Sequence, residues 1–326
     1  MLPHTFCCFR RPLALAAAGA ALCVAAVATA APVPAVHELA MRRLRDEFGV
    51  EPVEYPTTRR LNASPQDRAA DLTAAFADPT VRAVLASIGG DDQLTILPFL
   101  DPTVIAANPK PFCGYSDNTN LLNWLWNLGI VSYHGGSTMV HLGRGGGTHP
   151  ISASSLRAAL FTGGEVELHP VDVFSEDELD WNEPTLLDQP APTIATPGWS
   201  WHQPDRVVSA PTWGGNLEIL HWNLAANRWI RPVDDYAGER GLLAQFPAAI
   251  MGTAKASSLA RRTSLEERRR YRAEQREAIL HAFDRYNPDA MIVFNVDFGH
   301  TDPQWILPYG GTVTVDGPAR RITGHY

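Results

Sequence analysis

An apolar run from Val81 to Ile88, closed by Gly89-Gly90, leaves few folds open to this chain. Apart from Arg82 at its start it has no polar alternation, and a strand of that kind belongs in a parallel sheet covered by helices on both sides. The preceding segments supply such helices. His37 to Phe48 sets Leu39, Met41, Leu44 and Phe48 at helical spacing and stops at Gly49. Pro65 to Ala77 is a second amphipathic helix, with Asp67 and Asp71 in it, and Val50 to Tyr55 is a short strand ended by Pro56. This alternation predicts an α/β layer fold with a mostly parallel sheet.

Residues 170–205 break the alternation. They are rich in Pro, Asp, Glu and Trp without a sustained period, and read as a linker or a long surface excursion. The pattern then resumes with a strand from Arg206 to Ala210 and the pair Gly214-Gly215. A long helix is predicted over Leu265–Tyr286, opened by the capping box of Ser264 and Glu267. Strands follow at Met291–Val296 and Thr312–Val315. The expected organisation is a leading segment 1–35, an N-terminal domain 36–150, a linker 151–205 and a C-terminal domain 206–326.

Two readings stand for the leading segment. Arg10-Arg11, the Ala-rich run Leu13–Val27 and Ala28-Thr29-Ala30 have the layout of an export signal. Alternatively, Leu22 to Val27 is a first β-strand. The run is short for a membrane span and is built mainly of alanine, so no stable span is expected.

The 326 residues are 45% hydrophobic and 19% charged, enough for a large buried core, which excludes a disordered or coiled-coil chain. A net charge of −8 without clustered Lys and Arg outside one helix argues against nucleic acid as partner. Cys7, Cys8, Cys23 and Cys113 have neither metal-ligand spacing nor the density of a disulfide scaffold. No His-Glu-x-x-His pattern occurs among the histidines, so metal-dependent hydrolysis has little support.

Three segments could carry chemistry. Pro111-Phe112-Cys113-Gly114-Tyr115-Ser116-Asp117-Asn118 lies between a strand end and a helix, Asn118–Leu128. A serine there is lifted above the sheet edge in front of a helix N-terminus, with the backbone N–H of Asp117 as an oxyanion donor. The same residues also suit a plain helix cap, and the glycine-flanked elbow motif is not matched. Gly89-Gly90-Asp91 would let backbone approach a ligand closely, or form an ordinary tight turn. His300, in Asp297-Phe298-Gly299-His300-Thr301-Asp302-Pro303 just after a strand, is placed to be a general base or a loop histidine bonded to backbone. Trp199 and Trp201 sit in a polar, irregular stretch where a ring could stack on a planar ligand group; Trp181 and Trp213 read as packing.

Gly89-Gly90-Asp91, the Pro111–Asp117 block, Trp213-Gly214-Gly215-Asn216-Leu217 and Phe298–Pro303 occur in this order. Together they resemble the LD-carboxypeptidase family of serine peptidases, including its microcin C immunity branch. The resemblance spans roughly Val36 to the C-terminus. It implies an N-terminal Rossmann-like or flavodoxin-like domain and a β-rich α/β C-terminal domain, with the active site in the cleft between them. It further implies a Ser–Glu–His triad in which Ser116 matches the nucleophile and His300 the base. The backbone of Gly90 or Asp91 and of Asp117 would form the oxyanion hole. The implied substrates are an L,D-amide of murein peptides or an aminoacyl- or peptidyl-nucleotide bond, hydrolysed without a cofactor in the cytoplasm, by a chain that pairs as a homodimer.

One part of the family pattern is absent. Relatives carry a strand of the type Leu-Phe-Leu-Glu-Thr after the Gly-Gly-Asn-Leu block, and its glutamate completes the triad. Here Trp229–Tyr236 runs almost directly into Gly238-Glu239-Arg240-Gly241-Leu242-Leu243, which resembles sequence beyond that glutamate. The strand therefore reads as deleted, with Asp235, Glu239 and Glu218 as the acids left to substitute. The alternative function is a catalytically impaired relative that only binds such ligands.

Overall fold

The computed structural model describes residues 21–25, 32–176, 180, 183, 187–231, 246–258 and 261–326. Strands β1 (Ala21–Ala25), β2 (Glu51–Glu54), β3 (Val81–Ala86), β4 (Phe112–Gly114) and β5 (Ser132–His134) alternate with helices. The helices are α1 (Pro34–Phe48), α2 (Pro65–Ala77), the short α3 (Pro102–Ala107) and α4 (Thr119–Asn127). Then come α5 (Pro150–Arg157), β6 (Glu165–Leu168), β7 (Val173–Phe174), β8 (Ile194–Ala195), β9 (Ser200–His202) and β10 (Val207–Pro211). The chain continues through α6 (Leu217–Ala226), β11 (Ala248–Gly252), α7 (Leu265–Tyr286), β12 (Met291–Val296), β13 (Leu307–Tyr309), β14 (Thr312–Asp316) and β15 (Arg321–His325).

The first sheet has the order β13-β5-β4-β3-β1-β2. Strands β1 to β5 are mutually parallel in the flavodoxin-like order 2-1-3-4-5, and β13 closes one edge antiparallel to β5. The apolar run behaves as its pattern requires. Val84 and Ala86 pack with Phe112, Leu121 and Leu125 on one face, while Ala83 and Leu85 pack with Met41, Leu44 and Tyr133 on the other. Within the segment that also suits an export signal, β1 lies inside the sheet and pairs with both β2 and β3.

The later half builds an antiparallel sheet, β10-β14-β15-β6, and a smaller one in which β11 runs parallel to β12 and β9 antiparallel to it. Helix α7 occupies the predicted residues, and both hydrogen bonds of its Ser264–Glu267 box form. Its Ile279, Leu280 and Phe283 cover Ile292 and Phe294 of β12. Parallel strands present their loops on one side, so the segments after β3 and β4 emerge together at the carboxyl ends, where ligands bind in open sheets of this kind.

Candidate active site

Ser116 lies two residues beyond β4, in the left-handed region at φ 63°. A side chain there costs roughly 1–2 kcal/mol, and the turn that follows holds it in place. Residues 116–118 form a 3-10 turn that leads directly into α4, so the hydroxyl stands before a helix N-terminus. The Asp117 carboxylate points away from the serine and accepts from the Gln93 backbone N–H at 2.8 Å and Asn120 Nδ2 at 2.9 Å. Burial pushes its carboxyl up from the ordinary value, against these two bonds. Asn118, also buried, accepts from Gln93 Nε2 at 2.7 Å and donates to the Tyr115 carbonyl at 2.9 Å. The polar residues after Ser116 therefore brace the turn.

The loop after β3 is tied to the same turn. Gln93 Oε1 accepts from the Leu121 N–H at 2.9 Å, and the buried Arg68 of α2 grips Asp92 with bonds of 3.2 and 2.8 Å. This brings Gly89 against the serine: a Cβ on Gly89 would stand 3.3 Å from Ser116 Cβ and 3.5 Å from Oγ. Gly90 and Asp91 lie farther out and are exposed.

His300 reaches Ser116 from the opposite half of the chain, with Nε2 at 2.9 Å from Oγ. Its ring meets that of Tyr115 edge-on at 5.3 Å. Several anchors hold its loop. Gln304 Nε2 donates to the Gly299 carbonyl at 2.6 Å, and Asp302 exchanges backbone bonds of 2.7 and 2.9 Å with Ser175. The Asp297 carboxylate accepts from Trp199 Nε1 at 2.8 Å and the Val171 N–H at 3.2 Å. Burial outweighs those two bonds and pushes the Asp297 carboxyl up to about 6. Burial likewise raises Asp302 to about 6, although Arg144 pulls the other way from 2.6 Å. Beneath the histidine, the buried His134 is held neutral, its pKa lowered to about 4 by burial and then by the nearby His300.

The Trp213–Leu217 block docks onto the helix behind the serine. Trp213 Nε1 donates to Asn123 Oδ1 at 2.8 Å, and the Asn216 N–H donates to Thr119 Oγ1 at 3.0 Å. Tyr309 Oη bridges the two, its one proton lying between Asn123 Oδ1 and the Gly214 carbonyl oxygen, each 2.9 Å away. Residues 24–135 match the family described as the LD-carboxypeptidase N-terminal domain, and residues 209–315 the LD-carboxypeptidase C-terminal domain. The chain belongs to the LD-carboxypeptidase family. The Ser116–His300 contact thus joins the two halves that define the family.

Among relatives, the putative carboxypeptidase YocD of Bacillus subtilis is 25% identical over 272 residues, 78% of this chain and 79% of YocD. The microcin C7 self-immunity protein MccF of Escherichia coli is 29% identical over 125 residues, 37% of this chain and 36% of MccF. The structure of MccF in complex with glutamyl sulfamoyl guanosine superposes with a TM-score of 0.75 at 22% identity, over 97% of this chain and 99% of that one. At that identity the superposition establishes a shared fold.

Of the acids considered for the histidine, Glu218 is exposed in the first turn of α6, where it accompanies the Asn216 cap, and Asp235 and Glu239 lie outside the described residues. What stands beside β12, next to the histidine loop, is β11, ending in Ile250-Met251-Gly252 and followed by Thr253. A Cβ on Gly252 would come within 2.5 Å of the Phe298 carbonyl oxygen, so the strand's last residue touches the loop two positions before His300. The strand end that lies against the histidine loop therefore carries no carboxylate. Trp199 spends its indole N–H on Asp297, and Trp201 carries the Arg320 guanidinium 5.5 Å over its ring. Trp181 lies outside the described residues.

Gln93 and Gln304 were not singled out by sequence reasoning. Gly89 stood in a recognised glycine pair, but only the fold shows which of the two faces the serine. Neither glutamine has a spacing signal. Among the described residues no group of three or more His, Cys, Asp or Glu could hold a metal ion, and no helix is long and apolar enough to cross a membrane.

Proposed function

We propose that this chain is a serine-type amide hydrolase that releases an amino acid or short peptide from an aminoacyl- or peptidyl-nucleotide-like substrate, or from an L,D-linked murein peptide. The supporting observation is the 2.9 Å contact between His300 Nε2 and an Oγ held on a left-handed turn before a helix. With the ring proton on Nδ1, Nε2 accepts the Ser116 proton as Oγ attacks the substrate carbonyl. The resulting oxyanion is held by the backbone N–H of Asp117 and by N–H groups of the Gly89–Asp91 loop. His300 then protonates the leaving nitrogen, and water, activated by the same ring, hydrolyses the acyl-Ser116 ester. The aminoacyl-nucleotide class is favoured by the sulfamoyl-nucleoside complexes of MccF, whose fold this chain shares.

Internal pairing of β1 with β2 and β3 supports a folded protein that retains residues 21–25, as a cytoplasmic chain would. A second reading is favoured by Gly252. The strand end against the histidine loop, Gly252-Thr253, brings no carboxylate, and without one to orient His300 the protein binds such ligands with little or no turnover. Mass spectrometry on a murein L,D-tetrapeptide and an aminoacyl sulfamoyl adenosine, with Ser116→Ala as control, separates the two. Serine-dependent cleavage establishes the hydrolase. Binding by wild type and variant alike without cleavage establishes the second reading.

A further inference from the structure

We infer that Glu176 is a positioning residue for His300, acting as a staple that closes a ring of backbone around the histidine loop. This rests on the assignment of Ser116 and His300 above. The loop from Phe298 to Asp302 is gripped on two sides. On one, Asp302 pairs with Ser175 in both directions, at 2.7 and 2.9 Å. On the other, Gly252 abuts the Phe298 carbonyl, and the Thr253 N–H bonds the Val296 carbonyl at 3.2 Å. These flanking segments come from distant parts of the chain and are joined by the Glu176 carboxylate. It follows Ser175 directly, and its Oε2 accepts the Ala256 N–H at 2.9 Å.

The other oxygen, Oε1, meets Arg268 Nη1 at 3.3 Å and Arg272 Nη2, both from α7. Those arginines grip the same segment: Arg272 Nε donates to the Ala254 carbonyl at 3.1 Å and Arg268 Nη2 to Ser257 Oγ at 3.2 Å. The Arg272 guanidinium also lies 5.2 Å over the ring of Phe174. The Glu176 side chain is fully buried. A carboxylate stripped of water has to keep its partners in place, so the spacing between the two flanking segments is rigid. Rigidity there reaches His300, because the residues on either side of it are the ones gripped.

The test compares wild type with Glu176→Gln and with Glu176→Gln/Arg272→Gln, the double variant removing one arginine charge together with the carboxylate so that a folded protein is available. Ser116 reactivity is followed with a fluorophosphonate probe, kcat and KM on the cleaved substrate, and the His300 ring by its imidazole NMR resonances. The expected result is a fall of about tenfold or more in labelling rate and kcat with KM nearly unchanged, and displaced or broadened His300 signals. His300 resonances in a folded variant that coincide with those of wild type overturn the staple, whatever the activity. Failure of the probe to label wild-type Ser116 overturns the hydrolase assignment instead, and the NMR comparison still decides the staple.

Discussion

Gly252→Ala tests how closely the end of β11 governs the site. The new methyl would stand 2.5 Å from the Phe298 carbonyl oxygen, against 3.4 Å where ordinary contact begins, so one side gives way by about 0.9 Å. Gly252 is held in the sheet by its pairing with Val296, whereas Phe298 is in the loop, so the loop moves. His300 follows two residues later, with a 2.9 Å bond to Ser116 Oγ. Transmission of more than about a third of that shift along the bond carries the pair beyond the usual hydrogen-bond range. A misplacement of that order costs about 100-fold in rate, and overpacking costs about 1–3 kcal/mol in stability. Fluorophosphonate labelling of Ser116 and thermal unfolding, measured on the same preparation, read both quantities. Wild-type labelling and an unchanged Tm would refute the argument that Gly252 sets the height of the histidine loop.

Other outcomes follow from the same contacts. Asp297→Asn keeps acceptors for Trp199 and the Val171 N–H but removes a carboxyl raised to about 6. With its folded pKa above the unfolded value near 4, this group makes wild type lose stability as pH rises from about 4 to 6. The variant should therefore gain on the order of 2 kcal/mol relative to wild type between pH 4 and pH 7.5, read from urea midpoints; parallel pH curves would contradict this. Asp92→Asn leaves the fully buried Arg68 guanidinium without its carboxylate. It should cost about 3 kcal/mol, checked by chemical denaturation. A chain beginning at residue 31 lacks β1 from inside the sheet and should lose cooperative unfolding, followed by far-UV circular dichroism. Trp213→Phe keeps the ring but not the bond to Asn123, whose Oδ1 still accepts from Tyr309. A loss of about 1 kcal/mol is expected in the same denaturation assay.

Much of the fold was legible because it is written in local, periodic signals. Helix α2, helix α7 with its capping box, and strand β12 occupy the residues their patterns assign, since apolar spacing, caps and glycine stops act within one or two turns. The pairing of Ser116 with His300 was legible through the family resemblance; from spacing alone each follows a buried strand and suits a plain structural role as well. The polar residues around them carry no period, so their work was hidden. Asp117 could be seen as a cap or an oxyanion donor, but that its carboxylate faces Gln93 depends on a loop packed 24 residues away.

The sequence by itself determined the α/β class and the long helix with its capping box, and through its resemblance to a family it pointed to Ser116 and His300; their contact is a product of the tertiary structure. The tertiary structure alone decided which glycine touches the serine and that a carboxylate-free strand end lies against the histidine loop. It alone brought Glu176 between two segments that share no sequence neighbourhood. Local propensity is a property of a few consecutive residues. A staple or a close backbone approach exists only once distant segments are packed, because its partners are chosen by the shape of the whole core.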